Sequence, residues 1–248
     1  RMKIIISPAK KLNGNNINIK NSSKIRFLDE TRYLVSQLKN YNIDDIKSMM
    51  NLSDKLASLN YQRFQEWDLE SNAVMPAVYM FQGDVYKGLK ADELSEDALL
   101  FAQDNLRIIS GLYGLLRPLD LVFPYRLEMG TNMATKDGDN LYQFWGDKLR
   151  KALSLQMQDE EVLVNLASNE YSKALHLESL NKPIVTPIFK DYKNGKLKVI
   201  SFFAKRARGE MANFIIKNKI KDFGALKLFS FDRYKFSSLK NGEMLFLR

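Results

Sequence analysis

The sequence predicts a mixed α/β fold: one domain over residues 1–248, with a central mixed sheet flanked by helices and a C-terminal β-hairpin. Three observations predict it. Short apolar runs at Lys3–Ile6, Leu106–Ile109 and Glu161–Leu166 have the length and composition of buried strands. Stretches of helical periodicity separate them. Two later β-rich runs are joined by Asn194-Gly195, a strong hairpin signal, which makes the sheet mixed rather than purely parallel. No linker, low-complexity tract or internal repeat divides the chain.

Taken in order, Lys3–Ile6 is a β-branched run stopped by Ser7-Pro8, so a strand enters a loop at its carboxyl end. Asn13–Asn21 is polar, Asn-rich and irregular. Helical spacing comes next at Phe27–Leu38, Asp44–Met50 and Ser53–Trp67. The last two form a helical hairpin expected to pack Met49, Leu52, Leu56 and Leu59 inward. Ser95 caps a helix through Gln103, and Leu106–Ile109 is the second buried strand. Leu141–Leu155 reads as one helix. Glu161–Leu166 is a strand that ends at Ala167-Ser168-Asn169, with Ser168 as the cap of a further helix and Glu170 in its first turn. Ile184–Tyr192 and Lys196–Ala204 make the Asn-Gly hairpin, Arg208–Lys219 an amphipathic helix, and Glu243–Leu247 a last strand.

Composition narrows the chemistry. The chain has 248 residues, no Cys and a single His, His176, which excludes disulfides, thiolate nucleophiles and every His/Cys metal site. No metal site and no cofactor are predicted. Chemistry would rest on Lys, Tyr, Asp or Glu. No apolar run approaches the ~20 residues that cross a bilayer, and Met2–Ile6 is too short for a signal peptide's apolar region, so a cytoplasmic protein without a membrane partner is expected. The net charge of +9 is uneven: +7 over residues 1–26, −8 over 27–189 and +10 over 190–248. Brought together in space, the two ends would form one basic face suited to a polyanion; lysines kept for solubility are the alternative.

Four constellations carry functional content. Strands are expected to end at Ser7-Pro8-Ala9-Lys10-Lys11, at Asn165–Tyr171 and at Lys205-Arg206-Ala207-Arg208-Gly209. Carboxyl ends of parallel strands line the usual crevice of open α/β sheets. There Lys10, Lys205, Arg206 and Arg208 offer phosphate-binding cations, and Gly209, opening a helix, offers backbone N–H groups; a solvated basic turn is the alternative. Arg117–Gly130 places two prolines, two arginines and two acids in fourteen residues, as either a preorganised site or a structural ion-pair network needs. The segment Asp44–Trp67 resembles a helix-hairpin-helix, although Asn51-Leu52-Ser53 replaces the usual Gly-x-Gly. Tyr192, Phe202, Phe203, Phe214, Phe229, Phe231, Tyr234 and Phe236 interleave with the C-terminal cations; exposed rings there would stack on bases, whereas alternation over Leu197–Phe203 predicts rings turned inward.

The motifs Ser7-Pro8-Ala9-Lys10, Ser53–Ala57, Gly83–Leu89, Ser110–Asp120, Pro124–Gly130, Leu141–Asp147, Asn165–Tyr171 and Lys205–Gly209 together resemble the bacterial YaaA family, in order and over nearly the whole chain. The resemblance implies a cytoplasmic peroxide-stress protein that limits oxidative DNA damage and intracellular free iron. It further implies a single α/β domain with a basic cleft, a helix-hairpin-helix-like element and affinity for DNA. Carried over residue by residue, it marks Lys10, Arg117, Tyr125, Arg126, Glu128, Asn165, Ser168, Glu170, Tyr171, Lys205 and Arg208 as cleft residues. Lys11 stands where family members usually have a small or hydroxyl residue.

Two readings result. In the first the protein binds double-stranded or damaged DNA, its phosphates held by Lys10, Lys205, Arg206 and Arg208, with Lys55 and Arg63 from the helical hairpin. In the second it is an enzyme acting on a nucleotide or nucleic-acid base, with Lys10 as nucleophile, activated by neighbouring cations, or Glu128 or Glu170 as general base.

Overall fold

The computed structural model describes all 248 residues. Nine strands share one sheet: β1 (Met2–Ile6), β2 (Leu106–Ser110), β3 (Gly114–Leu116), β4 (Val162–Leu166), β5 (Ile184–Lys193), β6 (Lys196–Lys198), β7 (Ser230–Phe231), β8 (Tyr234–Lys240) and β9 (Glu243–Leu247). Their order is β7-β8-β9-β5-β4-β1-β2-β3, with β6 paired to β5. The helices of five or more residues in α conformation are α1 (Leu28–Leu38), α2 (Ile43–Met50), α3 (Asp54–Gln65), α4 (Asp84–Leu89), α5 (Glu96–Asn105), α6 (Leu141–Trp145), α7 (Lys148–Leu155) and α8 (Ser201–Lys217). No helix is long and apolar enough to cross a membrane.

The middle of the sheet is parallel: β1 pairs with β2 and β4, and β4 with β5. All five residues of β1, of β2 and of β4 are buried, as continuous apolar runs covered on both faces should be. Antiparallel pairs close both edges, β2 with β3 on one side and β7, β8 and β9 on the other. The Asn194-Gly195 hairpin is present, with both residues at positive φ, 53° and 73°. A second Asn-Gly turn, Asn241-Gly242 at φ 51° and 78°, joins β8 to β9 and makes the C-terminal hairpin. One continuous apolar core runs under the whole chain.

Four expectations require correction. The largest concerns Lys196–Ala204. Only Lys196–Lys198 is strand, and the helix begins at Ser201 rather than Arg208, so Lys205–Gly209 is helix and not a loop. The aromatic pair Phe202-Phe203 reads locally as strand, but Ala204, Ala207, Met211, Ile215 and Ile216 are buried at helical spacing. Gly209 therefore opens no helix. It lies in mid-helix, where a Cβ would stand 1.8 Å from the Val85 carbonyl oxygen, and Gly88 on α4 is crowded in return, 2.5 Å from the Arg206 oxygen. Glycines on both elements let α8 and α4 pack backbone to backbone.

The other three are local. Leu141–Leu155 is two helices, broken at Gly146 with φ 45°. Ser168 stands at the N-cap position of a short helix, Asn169–Ser172, with Glu170 in its first turn as expected, but its side chain makes no cap bond, because its hydroxyl faces Ser7 instead. On the helical hairpin, Leu52 is buried and Met49 partly so, but Leu56 and Leu59 are 37% and 40% exposed.

A candidate nucleotide-sized cleft

A cleft of about 600 Å³ opens at the carboxyl ends of β1 and β4, where the α/β topology places ligand sites. Pro8 ends β1 and turns Ala9 and Lys10 into its mouth. The chain then forms the two-residue strand Lys11–Leu12, antiparallel to Phe81–Gln82, which brings Gly83 and Asp84 to the facing wall. Ser168–Tyr171 after β4, Tyr125–Glu128, and Lys205 and Arg208 on α8 complete it.

The floor is rigid and aromatic. Tyr86, Tyr125 and Tyr171 are buried, and burial pushes each phenol above its ordinary range, so all three stay neutral. Tyr86 donates to the Ser7 carbonyl at 2.8 Å, and the Tyr125 hydroxyl lies 2.6 Å from Ser110 Oγ. Ser7 Oγ accepts the Ser168 amide at 2.8 Å and donates to Ser168 Oγ at 3.2 Å, tying the ends of β1 and β4 together.

Charge divides into a paired and an unpaired half. Glu128 bridges two cations, with Oε1 2.9 Å from Lys10 Nζ and Oε2 3.3 Å from Arg126 Nη2. Glu170 Oε1 accepts the Gly130 amide at 3.0 Å. On the other side Lys11, Lys205 and Arg208 line the cleft without a carboxylate partner. Burial alone lowers the Arg208 guanidinium below its ordinary value, with no opposing charge to offset it.

Nine of the residues expected at the site converge here: Lys10, Tyr125, Arg126, Glu128, Ser168, Glu170, Tyr171, Lys205 and Arg208. Five do not. Arg117 is tied to Asp120 at 2.9 Å and to the Lys24 carbonyl. Asn165 turns its Oδ1 to the Ala167 amide, and Arg206, on the far side of α8, pairs with Glu210 at 3.2 Å. Lys55 and Arg63 remain on the helical hairpin, outside the cleft, where Arg63 meets Asn60. The amides of Asn51 and Leu52 in that hairpin donate to carbonyls of α2, Ser48 and Lys47, and Lys47 closes it through Asp54 at 2.6 Å. The partner of Lys10 is a carboxylate rather than the crowd of cations expected around it.

Sequence reasoning passed over Gln82, Asp84 and Tyr86, which reach the cleft through a strand pair too short to show periodicity. The available signal was Gly83, φ 130°, set before an acid that opens a helix.

The family model described as peroxide stress protein YaaA matches residues 2–239, which include every residue of the cleft. The chain belongs to the YaaA family. UPF0246 proteins agree over their full length: that of Saccharophagus degradans is 49% identical over 255 residues, 100% of this chain and 99% of its own. The relative from a Marinomonas species is 49% identical over 238 residues, 95% of this chain and 92% of its own. That of Shewanella woodyi is also 49% identical over 238 residues, covering 94% and 93%. The cleft is thus that of a YaaA-family peroxide stress protein.

Proposed function

We propose that this YaaA-family chain serves in peroxide stress by binding DNA, and that the cleft takes a nucleotide of an unpaired strand. The observation that carries this reading is Arg208, a half-buried guanidinium without a carboxylate partner on the wall of a cleft. Withdrawing a cation even partly from water is costly unless an anion meets it, and guanidinium fits phosphate through paired N–H donors. Lys205 and Lys11 add unpaired charge at the same site.

Size selects the occupant. A volume near 600 Å³ lies within the ~300–1,000 Å³ of small-ligand sites, enough for a nucleotide but not for a duplex. An unpaired or extruded nucleotide presents a base to the tyrosine floor and its phosphates to Arg208 and Lys205. The helical hairpin is left with a lesser part, contact of Lys55 with a flanking duplex backbone.

The test is binding of labelled single-stranded, gapped and intact duplex DNA across a salt series, with Lys205→Glu/Arg208→Glu beside wild type. Single-strand affinity should fall with a log–log slope of roughly −0.7 per phosphate contacted, near −2 for about three contacts. The double variant should lose binding. Wild-type affinity in the variant would refute the reading.

A further inference from the structure

Outside the cleft, a run of exposed apolar residues adjoins its basic wall. Every residue from Tyr192 to Val199 is exposed, so β6 and the end of β5 project as an arm beyond the sheet. Of the eight C-terminal aromatics, Tyr192 is 66% and Phe202 58% exposed, whereas Phe229 and Tyr234 are core. Of the two rings expected to turn inward along Leu197–Phe203, Phe203 packs against the core, whereas Phe202, together with Leu197 and Val199, faces solvent. Scattered apolar residues are ordinary on a surface, but four within eleven residues form a patch.

Its charge is one-sided. Residues 192–208 hold six cations and no acid. Lys193, Lys196, Lys198 and Lys205 form no ion pair, and Asp191, the nearest acid in sequence, is buried against Tyr234 and Arg248. Lys193 and Lys196 face each other across the hairpin, and a like-charge pair in that position is destabilising until an anion lies between or beside it. Tyr192 is paired with Leu197 across the same hairpin. On α8, Phe202 precedes Lys205 by three residues and shares its face, and Lys205 lines the cleft.

We propose that the β5–β6 hairpin and the first turn of α8 form a stacking arm for unpaired bases of the DNA strand whose phosphates enter the cleft. This rests on the reading of the cleft as a nucleotide site. Tyr192 on one face of the hairpin, Lys193 and Lys196 on the other, and Phe202 beside Lys205 on α8 match a single strand, which offers π-faces and phosphates together; a paired duplex offers only its phosphates. Continuity through Lys205 places arm and cleft on one path.

The experiment uses the full chain and a duplex with a short single-stranded gap carrying 2-aminopurine, whose fluorescence falls on stacking. Wild type is compared with Tyr192→Ala/Phe202→Ala, which keeps every cation and alters only exposed rings. Gap affinity should fall on the order of tenfold or more and the quenching should disappear, while thermal stability and binding of thymidine 5′-phosphate in the cleft stay as in wild type. Unchanged affinity and quenching in the variant, with wild type binding, would overturn the arm and leave the cleft reading intact. Failure of wild type to bind any oligonucleotide would overturn both. Binding of wild type to phosphatidylserine vesicles but not to gapped DNA would overturn the arm's assignment in favour of a membrane surface.

Discussion

Arg208 and Glu128 divide the electrostatic work of the cleft between them. Arg208 has no protein counter-ion, so Arg208→Ala should weaken single-strand binding by about 1.5–3 kcal/mol, the worth of a charge-assisted hydrogen bond, in a fluorescence titration at fixed salt. Arg208→Lys should restore little, because an ammonium lacks the planar donor fork. Glu128 neutralises Lys10 and Arg126, so Glu128→Gln should raise affinity by on the order of 1 kcal/mol at low salt and steepen the salt slope. Weaker binding by that variant would mean that Glu128 contacts the ligand itself. The tyrosine floor sets an alkaline limit: Tyr86, Tyr125 and Tyr171 have raised folded-state values, so the stability they confer is complete below the unfolded value of 10.0 and is lost as pH rises beyond it. Denaturant midpoints should hold level up to about pH 9 and fall above about pH 10, less so in Tyr86→Phe. Much of this site was legible because Lys10, Glu128 and Arg208 sit in motifs of distinctive composition. Arg117 and Asn165 were misplaced for a physical reason: their side chains serve groups close by in the chain, the Asp120 carboxylate and the Ala167 amide.

At the level of elements, α8 decides the cleft, and it is also where local reading failed. Aromatic residues at its start mimic a strand, while its helical face is set by contact with α4 through Gly209 and Gly88, which lie far apart in the chain. Gly209→Ala should therefore cost about 1–3 kcal/mol or more, although Ala is the better helix former, and chemical denaturation would measure it. A gain in stability would show that the two helices do not meet through their glycines. The central strands were legible because burial on both faces demands unbroken apolar runs, as Ile4–Ile6 and Leu163–Val164 supply. Asn194-Gly195 was legible for its turn chemistry, and Asn241-Gly242 carried the same signal unread. Two-residue pairings such as Lys11–Leu12 with Phe81–Gln82 have no sequence pattern, because nothing periodic fits in two residues.

Over the whole molecule the fold converts an uneven charge distribution into a site. β1 and β9, at opposite ends of the chain, are separated in the sheet only by β4 and β5, roughly 14 Å at ~4.8 Å per strand. Lys10 and Lys11 from one basic end thus meet Lys205 and Arg208 from the other, while Asp84, Glu128 and Glu170 come from the acidic middle. The central claim is that an unpaired strand lies in this cleft. Photo-crosslinking with a 5-iodouracil-substituted gapped duplex tests it most directly, since the adducts form on nearby aromatic side chains and peptide mapping locates them. Adducts on Tyr86, Tyr125 or Tyr171, lost in Lys205→Glu/Arg208→Glu, are expected; adducts confined to the helical hairpin, on Tyr61 or Trp67, would contradict it.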